Sequence, residues 1–294
     1  MKLNIFKRSR FREAVAGYFF LIPNFFGFLA FSLVPIIASF ALTFTKWNLA
    51  SSPQFIGFRN YEKLFTDELF WKYLWNTFYY TILVVPLTII VGFSLAYLLN
   101  RKIKGIIFFR TVYFLPSVTL IVAVAVIWSW LYNADFGLFN FILGKFGIEG
   151  PNWLQSKNWA MPAIAIMGIW KGSGYSMLIY LAGLQGIPEE YYEAAEIDGA
   201  GWWQQIRRIT IPLIFPTTFF ILITSTIGAI QGFDQFYVMT RGGPAGATTT
   251  LVYYIFQNAF EWFNMGYAAT AAAILFVIIM VITLLQWRFA KNLV

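Results

Sequence analysis

The 294-residue chain contains no cysteine and no histidine. Disulfides, Cys/His zinc sites and histidine acid–base chemistry are therefore excluded. Charge is scarce too: 12% of residues are Asp, Glu, Lys or Arg, against about 25% in an ordinary soluble domain. What is present instead is apolar, 59% of the chain, with a mean hydropathy of +0.66. Most of this surface must face something other than water. The formal net charge of +8 fits basic loops beside a membrane better than a nucleic-acid site.

A helix needs about 20 apolar residues to cross the hydrocarbon core. Stretches 14–45, 73–100, 111–134, 209–233 and 262–287 carry no charged residue, and 158–188 is interrupted only by Lys171 in its membrane-buried middle. An all-α membrane protein with six transmembrane helices is expected. The first span holds Pro23 and Pro35, which predict a kink or an interfacial start. Its apolar run is longer than a signal-peptide core, so a retained helix is expected.

Lys and Arg set the orientation. With the N-terminus inside, the inner segments hold Lys2, Lys7, Arg8, Arg10, Arg12, Arg101, Lys102, Lys104, Arg110, Arg207, Arg208, Arg288 and Lys291. The outer loops, although longer, hold only Lys46, Arg59, Lys63, Lys72, Lys145, Lys157 and Arg241. Both termini are therefore expected in the cytoplasm. The organisation becomes a cytoplasmic segment 1–13, a first transmembrane helix 14–45, an outer loop 46–72, a five-helix core domain 73–288 and a cytoplasmic tail 289–294.

The inner loop 185–212 contains "PEEYYEAAEIDGAGWWQQIRRITIP". Pro188 suits a first helical turn, and Glu189 and Glu190 suit its dipole. Asp198-Gly199 is a stop and turn signal. A second helix starts near Gly201 and runs to Ile211, which precedes Pro212 and is biased out of helix. The loop reads as two short helices on the cytoplasmic face. Its small residues and acids suit a partner groove; a plain linker lying on lipid headgroups is the other reading.

"EAA" at 193–195, Gly199, Ile209 and Ile211-Pro212 are spaced as in the EAA loop of ABC-importer permease subunits, which this loop resembles. The family has Leu where this chain has Ile211. The stretch "TRGGPAGATTTLVYYIFQNAF", followed by "MGYAATAAAILF", looks like the carbohydrate branch, of the maltose and glycerol-phosphate type. The resemblance covers about residues 70–290 and, more loosely, "FIGFRNYEKLF" in the first outer loop. It implies a MetI-like permease fold whose EAA helix couples to a cytoplasmic ABC ATPase dimer through Glu193, Ala194, Ala195, Asp198 and Gly199. It also implies a second homologous permease subunit in a heterodimer and an extracytoplasmic sugar-binding protein. The setting would be a bacterial or archaeal inner membrane. No cofactor and no metal are expected in the chain itself, and ATP and Mg would be bound by the partner ATPase. The chain has no G-x-x-x-x-G-K-[ST] phosphate loop of its own.

Polar groups within spans are functional candidates by default. In the fourth span these are Lys171, Gly172 and Tyr175; Tyr175 falls where the maltose-type relatives face the sugar. Gly168 and Gly172 have G-x-x-x-G spacing, which by itself indicates helix packing. In the fifth span Gln231, Asp234 and Gln235 would share one helix face, with Gly232 between them. Amides beside aromatic rings are what a sugar site offers. Lys171 and Asp234 are a candidate ion pair. "GGP" at 242–244 predicts a tight outer turn, and 251–262 an amphipathic or re-entrant helix. The leading expectation is a sugar ABC-importer permease working by alternating access. A stand-alone secondary transporter or channel is the alternative, and a membrane enzyme is disfavoured by the missing catalytic residue types.

Overall fold

The computed structural model of the chain describes residues 2–101 and 104–291. Lys102, the last three residues of the expected tail and the side chains of the basic N-terminal segment 1–12 lie outside the described residues. The helices are α1 Lys2–Phe28, α2 Val34–Leu42, α3 Arg59–Thr66, α4 Glu68–Leu99, α5 Ile106–Val118, α6 Ile121–Leu131, α7 Leu138–Lys145 and α8 Ala160–Gln185. They continue with α9 Glu190–Ile197, α10 Trp202–Gln205, α11 Ile211–Leu213, α12 Phe215–Ile230, α13 Asp234–Thr240, α14 Leu251–Phe256 and α15 Met265–Lys291. Two short strands, β1 Thr45–Lys46 and β2 Gln54–Phe55, pair antiparallel.

Three helical stretches are single, long and apolar enough to cross a membrane: Glu13–Leu42, Glu68–Leu99 and Met265–Lys291. Two more expected spans are bent pairs. Stretch 111–134 is α5 and α6, broken at Thr119–Leu120 by 100°. The fifth span is Trp202–Leu213 and α12, bent by 63° at Ile214. The expected fourth span, α8, is long enough but holds several Gly and Ser and the charged Lys171, and half its length is buried by neighbouring helices. A helix so enclosed need not be as apolar as one facing lipid.

Prolines explain two departures from regularity. Pro35 and Pro212 each follow a π turn, Leu29–Leu33 and Ile206–Thr210. A proline ring crowds the carbonyl four residues back and supplies no N–H. The preceding turn widens instead: the Val34 N–H reaches Leu29 O, and the Ile211 N–H reaches Ile206 O. The helix expected to end at Ile211 therefore continues to Leu213, and the bend falls at the buried Ile214 before Pro216.

The chain forms two compact units. The smaller comprises residues 1–66 and 257–274. Here Asn60 Nδ2 donates to the carbonyls of Thr43 (2.8 Å) and Thr45 (2.9 Å), tying α3 to the chain entering β1. No side chain between residues 13 and 42 is buried, and only those of Leu29, Ser32, Leu33 and the terminal Leu42 are half-covered.

The larger unit comprises residues 67–256 and 275–294. Its core is the pairing of α4 with α8 and of α8 with α5. Tyr80, Val84, Ile164 and Met167 fill one half, and Met177, Tyr180 and Leu181 the other. Small residues bring the backbones together: a Cβ on Gly92 would lie 2.7 Å from Ser176 Cβ, and one on Gly174 would lie 2.2 Å from the Tyr113 carbonyl oxygen. At the end of α4, Arg110 donates to the Leu99 carbonyl at 2.8 Å and relieves an orphan acceptor of that helix. The expected turn at 242–244 is present, with Gly242 at φ +78° and Thr248 N–H bonded to the Gly242 carbonyl.

Gly174→Ala should separate α8 from α5, because the clash is with backbone that cannot rotate away. Overpacking of this kind costs about 1–3 kcal/mol. A lower thermal unfolding midpoint of the purified protein checks it.

Candidate functional site

The candidate residues fall in two places, the loop around α9 and the helices around α8 and α13. Helix α9 starts after Glu189 and carries Glu190 and Glu193 in its first turn, where the helix dipole favours anions. It ends in a Schellman motif: Gly199 N–H bonds Glu196 O (3.0 Å) and Ala200 N–H bonds Ala195 O (2.8 Å). Gly199 has φ +76°, a conformation that other residues adopt only at a cost of about 1 kcal/mol or more. The next helical stretch opens at Trp202, with Gln204 Oε1 accepting from Gly201 N–H at 3.0 Å.

One side of α9 faces home. Tyr192 OH bonds Thr210 Oγ1 at 3.0 Å, and Ala195 is half-buried. The other side is bare: Glu193, Ala194 and Asp198 are exposed, and Ile197 is 87% exposed. That side thus combines one large exposed apolar side chain with two acids. Sequence reasoning had picked the acids and alanines but missed Ile197. The signal was available, since Ile197 falls four residues after Glu193 on the same face.

In the membrane part, Lys171 does not reach Asp234. Its ammonium donates to the carbonyls of Pro116 (3.2 Å), Ser117 (3.1 Å) and Thr119 (2.9 Å). These are acceptors left free where α5 ends at the 100° break. Ser117 Oγ returns a bond to the Lys171 carbonyl at 2.9 Å. Among the described residues no ion pair joins Lys171 to Asp234. The lysine is a helix-terminus clamp.

Tyr175, one turn on from Lys171, is 54% exposed although its neighbours Gly174, Ser176 and Met177 are buried. Ile166 and Trp170 are exposed at nearby positions of α8, with the Trp170 ring tilted against that of Trp128 at 5.4 Å. Sequence reasoning missed Trp170. Gly172 sits against Thr88, whose buried hydroxyl has no partner.

The expected common face for Gln231, Asp234 and Gln235 is not there. Helix α12 ends at Ile230, and α13 begins at Asp234 after an irregular link at Gln231, Gly232 and Phe233. Helical spacing does not hold across that break. Gln231 is exposed at the C-terminal cap, and Asp234 is exposed in the first turn of α13. Gln235 turns inward, its Nε2 at 3.4 Å from Tyr80 OH. A Cβ on Gly168 would lie 2.6 Å from that hydroxyl, so Gln235 meets α8 near Gly168. That is seven residues from Tyr175, about 10 Å along the helix. The candidates thus form two groups and not one pocket.

With this geometry in view, residues 72–293 match the family model described as "Binding-protein-dependent transport system inner membrane component". The chain belongs to this family. It is 36% identical over 276 residues to the trehalose/maltose transport system permease protein MalF of Thermococcus litoralis, covering 93% of this chain and 92% of that one. It is 39% identical over 239 residues to the sulfoquinovosyl glycerol transport system permease protein SmoG of Agrobacterium fabrum, covering 81% and 78%. Among solved structures it superimposes on a chain of a bacterial ABC transporter that imports the acidic polysaccharide alginate, with a TM-score of 0.85, 25% identity and coverage of 97% and 98%. The chain is an inner-membrane permease of the binding-protein-dependent ABC-importer family and is not itself an enzyme. Its fold is the mostly helical MetI-like permease fold. The reading as a stand-alone secondary transporter is not favoured.

Lys171→Met should leave three carbonyls unpaired at the α5 break and lower the unfolding midpoint. Bonds to a charged donor are worth about 1.5–3 kcal/mol each before relaxation. Lys171→Arg, which keeps the donors, should lose less. Unchanged stability with lost substrate affinity would instead make Lys171 a substrate ligand.

Proposed function

We propose that this chain is one permease subunit of an ATP-driven importer for a sugar or sugar-like solute. The observation that carries the reading is the capped α9 helix, with Glu193, Ala194 and Ile197 bare on one side and Tyr192 anchored on the other. Glu193 would pair with a basic side chain of a cytoplasmic ATPase. Ala194 and Ala195 would admit close packing, and Asp198-Gly199 would set the angle at which motion passes to α12. The bend at Ile214 joins that stretch to the membrane helix, so force on the loop reaches the span through continuous helical backbone.

The sugar assignment draws on the relatives, whose names specify trehalose or maltose, sulfoquinovosyl glycerol and, in a further case, lactose. On the chain itself, the exposed Tyr175 ring of α8 suits stacking under C–H faces. Gln231 and Gln235 offer amide bonds to hydroxyls. Gly172 would let substrate approach the backbone, and Gly232 and Asp234 would edge the same passage. Lys171 would act by holding the α5 break in place.

Six spans, with both termini in the cytoplasm, follow if α8 and each bent pair cross once and the basic residues lie inside. The largely uncovered first span and the open face of α8 leave room for a second, homologous permease. A binding protein would deliver substrate from outside. ATP closing the ATPase dimer would favour one of two global states, which is what coupled transport requires.

Purification in mild detergent from the native host tests the assembly. An ATPase and a second permease in fixed stoichiometry are expected; a chain that comes out alone and moves solute in liposomes would overturn the reading. Glu193→Lys should weaken ATPase docking by about tenfold or more while insertion is unchanged, since reversing one charged contact costs upwards of ~1.4 kcal/mol. Tyr175→Ala should lower substrate-stimulated transport and leave assembly intact. Normal transport by either variant contradicts the role given to that residue.

A further inference from the structure

The smaller unit contains a cavity of about 390 Å³ that the transport reading does not use. Lys46, Arg59 and Lys63 line it, together with Trp47, Asn264 and Tyr267. No carboxylate is among its lining residues. Three of the seven Lys and Arg expected on outer loops thus gather at one place, in loops where the charge rule makes them scarce.

The cavity is held by specific contacts. Pairing of Lys46 with Gln54 in the two-stranded ribbon fixes one wall. Arg59 and Lys63 are four residues apart on α3 and share a face. Lys63 Nζ sits 4.8 Å from the centroid of the Tyr267 ring, which orients the ammonium. The Met265 N–H bonds the Trp47 carbonyl at 3.0 Å. A Cβ on Gly266 would lie 1.8 Å from the Thr45 carbonyl oxygen, so only glycine allows the start of α15 to come this close. Two like charges at i and i+4 repel, and a third adds to the cost; an anion between them reverses the sign. A guanidinium fork beside two ammoniums is chemistry suited to phosphate.

Depth points to the source of that phosphate. Lys46 lies four residues beyond Leu42, the end of one apolar helix, and Tyr267 lies in the first turn of another. At no more than about 3.5 Å per residue, the four residues after Leu42 keep Lys46 within roughly 14 Å of that helix end, where the headgroup layer begins. Trp47, Ile56 and Tyr267 line the cavity among its polar groups. A soluble anion has no use for apolar side chains in the lining, whereas a headgroup carrying acyl chains does.

We propose that this cavity binds the phosphate of an anionic phospholipid at the membrane surface, and that this lipid fastens the first span to the start of the last. The proposal rests on the membrane placement of the chain and is independent of its substrate.

The test uses the purified transporter complex in mild detergent, supplied with phosphatidylglycerol or phosphatidylcholine and examined by native mass spectrometry. The wild type should retain phosphatidylglycerol preferentially. The combined variant Lys46→Gln, Arg59→Gln, Lys63→Gln should lose that preference by about tenfold or more. The charge-keeping variant Lys46→Arg, Arg59→Lys, Lys63→Arg should preserve it, and guards against a variant that fails to assemble. If the neutral variant does not assemble, Arg59→Gln alone is compared with the wild type. Equal retention by the wild type and the neutral form overturns the proposal. Displacement of the lipid by millimolar glycerol phosphate, or binding of glycerol phosphate without lipid selectivity, would assign the cavity to a soluble anion and equally overturn it. Failure to co-purify an ATPase would bear on the function proposed above and not on this site.

Discussion

A backbone that bends by 100° within an apolar segment leaves carbonyls with no helical partner and no water to take their place. The junction of α5 and α6 solves this with one side chain. The Lys171 ammonium donates to three carbonyls around the break, and the Ser117 hydroxyl answers from the other side. The charge that would be costly in hydrocarbon sits on the negative end of a helix dipole, where it is favoured. This contact fixes α5 against α8. It is compatible only with glycine at 174, where the two backbones nearly touch. The exposed Tyr175 of α8, next to that glycine, is therefore presented by a rigid support.

The same economy recurs at the prolines. Each π turn ahead of Pro35 and Pro212 shifts a hydrogen bond by one residue and keeps the helix running. At Pro212 the helix that leaves the 185–212 loop runs on to Leu213 and bends at the buried Ile214 before α12.

Much of this was legible in the sequence. Charge-free runs located the helices because lipid tolerates few charges, and the Pro188, Asp198-Gly199 and Gly201 signals located both short helices of the loop because their caps are local chemistry. The breaks were not legible. Nothing in "LPSVTLIV" distinguishes a straight span from a 100° bend, since the partner that stabilises the bend, Lys171, lies more than fifty positions away. For the same reason Lys171 looked like a candidate for ion pairing with Asp234, when its partners are main-chain carbonyls that no side-chain inventory shows. The link at Gln231 to Phe233 was hidden as well: a charge-free run whose glycines, Gly228 and Gly232, lie four apart reads as continuous helix. Ile197 carries little contrast as an apolar residue in a mostly apolar chain, although its exposure puts it on the bare side of α9.

The account centres on α9 as the place where a separate ATPase takes hold of this chain. Because the chain has no cysteine, a single Ala194→Cys substitution gives one unique thiol at the middle of the exposed face. The most direct measurement is to cross-link that thiol in assembled membranes and identify the product. The account predicts a covalent adduct with the ATPase subunit whose yield changes when ATP is added. A thiol that stays open to water-soluble reagents in the assembled transporter, and forms no ATPase adduct, would contradict it.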